Sequence, residues 1–275
     1  MKSRLVHLGI PVLVYAALSL TFGTFVFHEK RNWNNIFDAA HLWYLEHVLL
    51  FSIVYAIWRH FRGQAYFTVR KNPARPAPGL LVTLAAALGV AVLCWLVRQW
   101  SPVDRWTHVL GFFSVAFADV PRDLAFFIFG AMAFHRGWFE QYPTRRGMIW
   151  LAVALVAAAA WYVKAFTPYR SFGNNSGGPV YVVWEEIICF GFCIGLLVLF
   201  RQVVKSQGRF GKMLAANQYS VYFWHLAMVQ QIQRLVHTLS IGPLAKFGLV
   251  AAVALPLVFL WSALMRRIPA VRAVL

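Results

Sequence analysis

An all-α, polytopic membrane bundle of about eight transmembrane helices, with both termini in the cytoplasm, is the fold this sequence predicts. Three observations carry the prediction. The chain is 60% hydrophobic and only 13% charged, with a mean hydropathy of +0.61, far from soluble-domain usage. It contains eight apolar stretches long enough to span a bilayer. Its basic residues alternate between the connecting segments in the way the positive-inside rule demands. The longest polar stretches run to about 15–20 residues, too few for an independent core, so residues 1–275 read as one membrane domain.

The first stretch, 5–26, follows Lys2 and Arg4 and so has the outline of a signal peptide. It is long, carries Pro11 and lacks a small-x-small cleavage site, which makes it a first membrane helix. The others are 41–59, 79–98, 119–136, 147–166, 180–201, 218–238 and 243–265. The fourth has the weakest signal, because Pro121, Arg122 and Asp123 interrupt it; proline is tolerated in a first turn, so Pro121 marks its start. The segment Thr167–Pro179 is rich in Gly, Asn and Ser, and reads either as a loop or as a flap over an external substrate. Cys189 and Cys193, four apart on one apolar helix, read as packing residues, and the three cysteines form no disulfide framework.

With the N-terminus inside, the inner segments hold 17 of the 26 basic residues, among them Arg59, Arg62, Arg145, Arg146, Arg201 and Arg266. The formal charge of +17 is thereby explained by topology, and nucleic acid is not expected as a partner. Eight of the nine acidic residues fall on the outer side, Glu140 being the exception. Acidic residues contribute little to orientation, so this second asymmetry suggests a polar vestibule opening outward.

Ionisable groups in a bilayer are expensive and mark substrate paths, relays or catalytic sites. The second helix opens with His41 and continues through Trp43, Glu46 and His47. His47 lies about 9 Å deeper than His41, and Trp43, Glu46 and His47 share a face through their i, i+3 and i+4 spacing. A histidine can act as general base on a hydroxyl, with a carboxylate to orient it; the alternative is an aromatic belt with a histidine at headgroup depth. The sixth helix carries Glu185 and Glu186, whose side chains diverge by about 100°. At most one faces a given site, and the other is expected to meet Arg122, Arg234 or a loop. The seventh holds Tyr222 and His225 on one face near its cytoplasmic end. Each of these also has a purely structural reading, as a buried ion pair or an interhelical hydrogen bond. No Walker loop, dinucleotide fingerprint, nucleophile elbow or zinc motif is present, and neither a structural metal nor a bound cofactor is expected.

Four segments together resemble the membrane-bound acyltransferase-3 proteins of bacteria, in the branch of the glucan-modifying succinyltransferases. They are His41–His47, Phe127–Trp138, Tyr219–His225 and the terminal Arg266–Pro269. The resemblance covers nearly the whole chain. It implies an inner-membrane O-acyltransferase that carries an acyl group from a cytoplasmic donor, usually acyl-CoA, to a hydroxyl of an extracytoplasmic saccharide or glycan. In such a reaction the ionisable residues read above supply the candidates: His41 and Glu185 as catalytic residues, and Trp43, Glu46, Arg122, Tyr222 and His225 as substrate-binding ones. Family members usually have about ten helices, with an Arg or Lys ten residues before a His in the first; this chain resembles them only from about their third helix onward. Lys30 and His41 have the same spacing, but Lys30 lies in a polar loop. The rival expectation is a non-catalytic subunit, working with a partner protein, or a transporter on the same scaffold; the absence of an internal repeat weakens the transporter.

Overall fold

A computed structural model describes residues 9–21, 42–62, 76–103, 105–109, 113–165 and 178–274. Among them are ten helices: α1 Ile10–Thr21, α2 Trp43–Arg62, α3 Leu80–Arg98, α4 Val120–His135, α5 Trp138–Gln141, α6 Thr144–Ala165, α7 Pro179–Val203, α8 Arg209–His237, α9 Pro243–Met265 and α10 Pro269–Val274. Eight of these coincide with the apolar stretches. Length and composition alone qualify three of them, α3, α7 and α9, to cross a membrane. α1 and α4, with 12 and 16 residues, are shorter than a span, and Glu46, Arg59 and Arg62 together with its histidines make α2 less apolar. α8 begins well before its expected start, because the polar turn from Arg209 extends the helix beyond the apolar run.

One departure from an all-helical chain is a small hairpin, β1 Thr107–Val109 paired with β2 Phe113–Val115. Both strands are rich in β-branched or aromatic residues, which favour extended backbone. The hairpin is pinned by a 3.2 Å contact between Ser114 Oγ and His108 Nδ1.

The chain divides into two compact units, which share α2 between them. The first comprises residues 1–49, 110–113 and 206–275, and the second residues 50–109 and 114–205.

In the second unit α6 and α7 form a close antiparallel pair. Gly147 meets Val198, Leu151 meets Gly195, and Ala154 meets Gly191, so residue numbers rise on one helix as they fall on the other. The two glycines of α7 are spaced Gly-x3-Gly, the small-residue pattern that lets membrane helices approach closely without a hydrophobic driving force. A Cβ on Gly191 would lie 2.8 Å from the Trp150 carbonyl oxygen, and one on Gly195 would lie 2.8 Å from Leu151 Cα. At the other end of the pair, Arg201 donates to the carbonyls of Phe139, Glu140 and Tyr142 and so ties α7 to the α5 turn. That turn follows Gly137, whose left-handed backbone (φ 66°) ends α4.

α3 packs a stripe of small residues, Ala87, Ala91 and Cys94, against Val182 and Phe190 of α7. Phe126 and Phe129 of α4 complete this core, with ring centroids 4.8 Å and 5.9 Å from Phe190. In the first unit, Leu42 and Leu45 at the head of α2 pack with Phe223 of α8 and Tyr15 of α1. α8 and α9 run side by side over Ile232, Val236 and Ala254.

Candidate functional site

Five charged side chains meet where α3 ends and α4 and α7 begin, all within the second unit. Arg98 is the last residue of α3, Asp119 the residue before α4, and Glu185 stands in the second turn of α7. Arg98 Nη2 donates to Glu185 Oε2 at 2.6 Å and to Asp119 Oδ1 at 3.1 Å. Arg122 Nη1 donates to Glu185 Oε1 at 2.8 Å, and its Nη2 lies 2.9 Å from Asp119 Oδ1. Asp123 stands 3.8 Å from Arg122 Nε.

Local sequence explains the placement. Pro121 sits in the first turn of α4, where its missing N–H costs nothing. The Asp119 side chain makes no capping bond to α4 and serves the two guanidiniums instead. Asp119 and Asp123 lie at the N-terminus of α4 and Arg98 at the C-terminus of α3, where the helix dipoles favour them. The Arg98 side chain is fully buried, whereas Asp119, Arg122 and Glu185 are 14–19% exposed. The network is therefore rooted in the helix core and open on one face.

Both oxygens of Glu185 are engaged by guanidinium groups. That geometry suits a positioning or binding group. Glu186 diverges from it as helix geometry requires and is fully buried against α3, with Cys94 Sγ 3.6 Å from its Oε1. The expected pairing of Arg122 with a helix-7 carboxylate thus falls to Glu185, and the partner of Glu186 is a thiol, not an arginine or a loop. Next to the network stand three aromatic rings. Trp161 stacks on Trp184 at 4.2 Å, Tyr181 lies 5.4 Å from Trp184, and the Arg98 guanidinium lies 6.0 Å from the Tyr181 ring. Trp184 is oriented by donating Nε1–H to the Ala157 carbonyl at 2.9 Å.

Of the residues singled out from sequence, the structure brings together Arg122 and Glu185. Trp43, Glu46, Tyr222 and His225 belong to the first unit. There Trp43 meets His47 edge-on at 5.2 Å, as their spacing predicts, and Glu46 and His47 are both buried. Tyr222 and His225 stack at 5.7 Å. His225 Nδ1–H donates to the Tyr222 carbonyl at 2.7 Å, and since a carbonyl can only accept, the neutral ring keeps its lone pair on Nε2. His41, Lys30 and most of the Thr167–Pro179 loop lie outside the described residues.

Sequence reasoning missed Arg98. The signal was there: a lone arginine at the end of an apolar helix that the charge alternation places on the outer side. It also missed the 2.9 Å contact between Tyr55 of α2 and His135 of α4. Among the described residues, no three His, Cys, Asp or Glu side chains come together in a set that could hold a metal.

The acyltransferase domain of the acyltransferase-3 family matches residues 1–267, nearly the whole chain. No curated protein and no solved structure matches it. The chain belongs to the acyltransferase-3 family and is a multi-pass membrane acyltransferase that transfers groups other than aminoacyl groups.

Proposed function

We propose that this family member moves an acyl group from a cytoplasmic donor, acyl-CoA, to a hydroxyl of an extracytoplasmic saccharide or glycan, in the inner membrane of a bacterium. The Arg98–Asp119–Arg122–Glu185 network is its acceptor-side site. The observation that carries this reading is the network itself. Charges taken out of water into an apolar bundle are costly even when paired. This one stays open on one face, beside an aromatic ledge of Trp161, Tyr181 and Trp184. Carboxylates and guanidiniums bond sugar hydroxyls, and aromatic rings cover the apolar face of a sugar ring. The alternation of basic residues supports placing the network on the outer side and both termini inside.

The reaction in this reading is attack of the acceptor oxygen on the thioester carbonyl carbon. The carbon–sulfur bond breaks, the thiolate leaves, and the hydroxyl proton passes to a histidine base. Preorganised donors stabilise the oxyanion that forms on the carbonyl. His41 is the candidate base, and His225 lies nearer a cytoplasmic ligand. Glu185 and Arg122 hold the acceptor, and Trp43, Glu46, Tyr222 and His225 are the other substrate-binding residues.

The test is acyl-CoA consumption and glycan acylation by the purified protein. Glu185→Gln and Arg122→Gln are expected to raise the acceptor KM with the donor KM unchanged, and His41→Ala to lower kcat. Wild-type acceptor kinetics in both network variants would overturn the site, and donor consumption that never acylates a glycan would overturn the acceptor class.

A further inference from the structure

Along one seam of the first unit, five buried donor atoms bond nothing. They are Ser220 Oγ and Trp224 Nε1 of α8, Trp261 Nε1 and Ser262 Oγ of α9, and Nε of Arg266, the C-cap of α9. Contacts at both ends set them in one line. Arg266 Nη1 donates to the Ala216 carbonyl and to Asn217 Oδ1, and Trp224 meets Trp261 edge-on at 5.9 Å. Asn217, Ser220 and Trp224 share a face of α8 at i, i+3 and i+7, and Ser262 lies one turn before Arg266. Ser220 and Ser262 therefore stand between the two contacts, and both are fully buried. A helical serine can bond the carbonyl four residues back; for Ser220 that is Ala216, which already accepts from Arg266. Farther along, the two helices meet through Ile232, Val236 and Ala254, so the buried polar side chains of the pair are confined to this end.

Buried polar groups are nearly always paired, and an unpaired set along one seam calls for an occupant. What the set lacks is acceptors. All five atoms can donate, Arg266 carries a positive charge, and neither helix has an Asp or Glu. The alternation of basic residues supports a cytoplasmic position for this end. A thin ligand, rich in carbonyls and anionic at one end, has the matching chemistry. The arm of an acyl-CoA is such a chain, with two amides between its phosphates and its thioester. Ser220 and Trp224 are one turn apart, about 6 Å along the axis, close to the spacing of successive amide carbonyls. Pro256 of α9 lies between the apolar and polar parts of the seam and removes the hydrogen bond to the Ala252 carbonyl, which frees the polar end of α9 to part from α8.

We propose that this seam is the slot for the donor's arm, its amide carbonyls accepting from Ser220, Trp224, Trp261 and Ser262 and its phosphates resting at the mouth on Arg266. The slot rests on the acyl-CoA reading given above and adds the residues that hold the donor.

Equilibrium binding of coenzyme A to the full-length protein in neutral detergent, beside a thermal melt, tests it. The double variant Ser220→Ala/Ser262→Ala removes two hydroxyls that bond nothing in the closed seam, so its melting temperature should not fall. Its affinity for coenzyme A should drop by about tenfold or more. Unchanged affinity in that variant, with the wild type binding, would overturn the slot and leave the donor reading standing. A wild type that binds no coenzyme A would overturn both. Photo-crosslinking of the wild type by coenzyme A carrying a diazirine on its sulfur needs no variant. Labels are expected within 217–225 or 258–266, and labels confined to other segments would also overturn the slot.

Discussion

The α3–α4–α7 layer and the α8–α9 pair handle charge inside an apolar bundle in opposite ways. In the first, Arg98 and Arg122 are held by Asp119 and Glu185 at 2.6–3.1 Å, with Asp123 3.8 Å from Arg122, so each guanidinium faces carboxylates. In the second the two helices carry no Asp or Glu of their own, and two of the cations turn to neutral acceptors. Arg266 donates to the Ala216 carbonyl and to Asn217 Oδ1, and Lys246 to the His237 carbonyl. Neutral acceptors satisfy donors but do not cancel charge. The first layer therefore sets charge against charge, whereas in the second Arg266 and Lys246 rest on backbone and amide oxygens. A paired network ties helix ends together through charge, and a cation on a carbonyl does so through a single hydrogen bond.

The sharpest way to break this contrast is to remove one charge from the closed network. Arg98→Ala leaves Asp119 and Glu185 short of a buried partner, and truncating one side of a buried pair costs about 3–5 kcal/mol. A large fall in melting temperature in detergent is expected, together with loss of acylation. A variant that melts like the wild type would mean that the network holds nothing in place.

Helix contact in the same layer can be probed without touching charge. Gly195→Ala puts a methyl 2.5 Å from Leu151 Cβ and 2.8 Å from its Cα, where backbone must move. Overpacking of this kind costs about 1–3 kcal/mol, and thermal unfolding in detergent reads it. Gly248→Ala on α9, where a Cβ would meet nothing within 4 Å, is the matched control and should leave the melting temperature unchanged.

Glu185→Gln keeps the shape and loses the charge. If the network only holds helices, activity and stability should fall together. If it also binds the acceptor, acylation should fall by about tenfold or more, beyond what the shift in stability accounts for. Measuring kcat/KM for the acceptor beside a melting curve separates the two.

The smallest effect belongs to Tyr55→Phe, which removes one half-buried hydrogen bond to His135. A loss of about 0.5–1.5 kcal/mol is expected in the unfolding free energy. The corresponding change in activity tells whether His135 needs that bond to stay oriented.

Much of this molecule was legible in its residues. The stretch 243–265 matches α9 residue for residue, and Pro121 announced the start of α4. Such elements follow from local chemistry: apolar runs long enough to span, and a proline where an N–H is not needed. The separation of Glu185 from Glu186 follows from the turn of a helix, and the edge contact of Trp43 with His47 from its spacing. Family membership was likewise written in short motifs spread along the chain. Tertiary structure decided the rest, because it depends on which helix ends meet. Arg98 lies 87 residues from Glu185, and nothing in its own neighbourhood says that it closes a network with two carboxylates. The partner of Glu186 and the register of α6 on α7 have the same origin. Periodicity tells each helix which face to bury; only packing tells it against what.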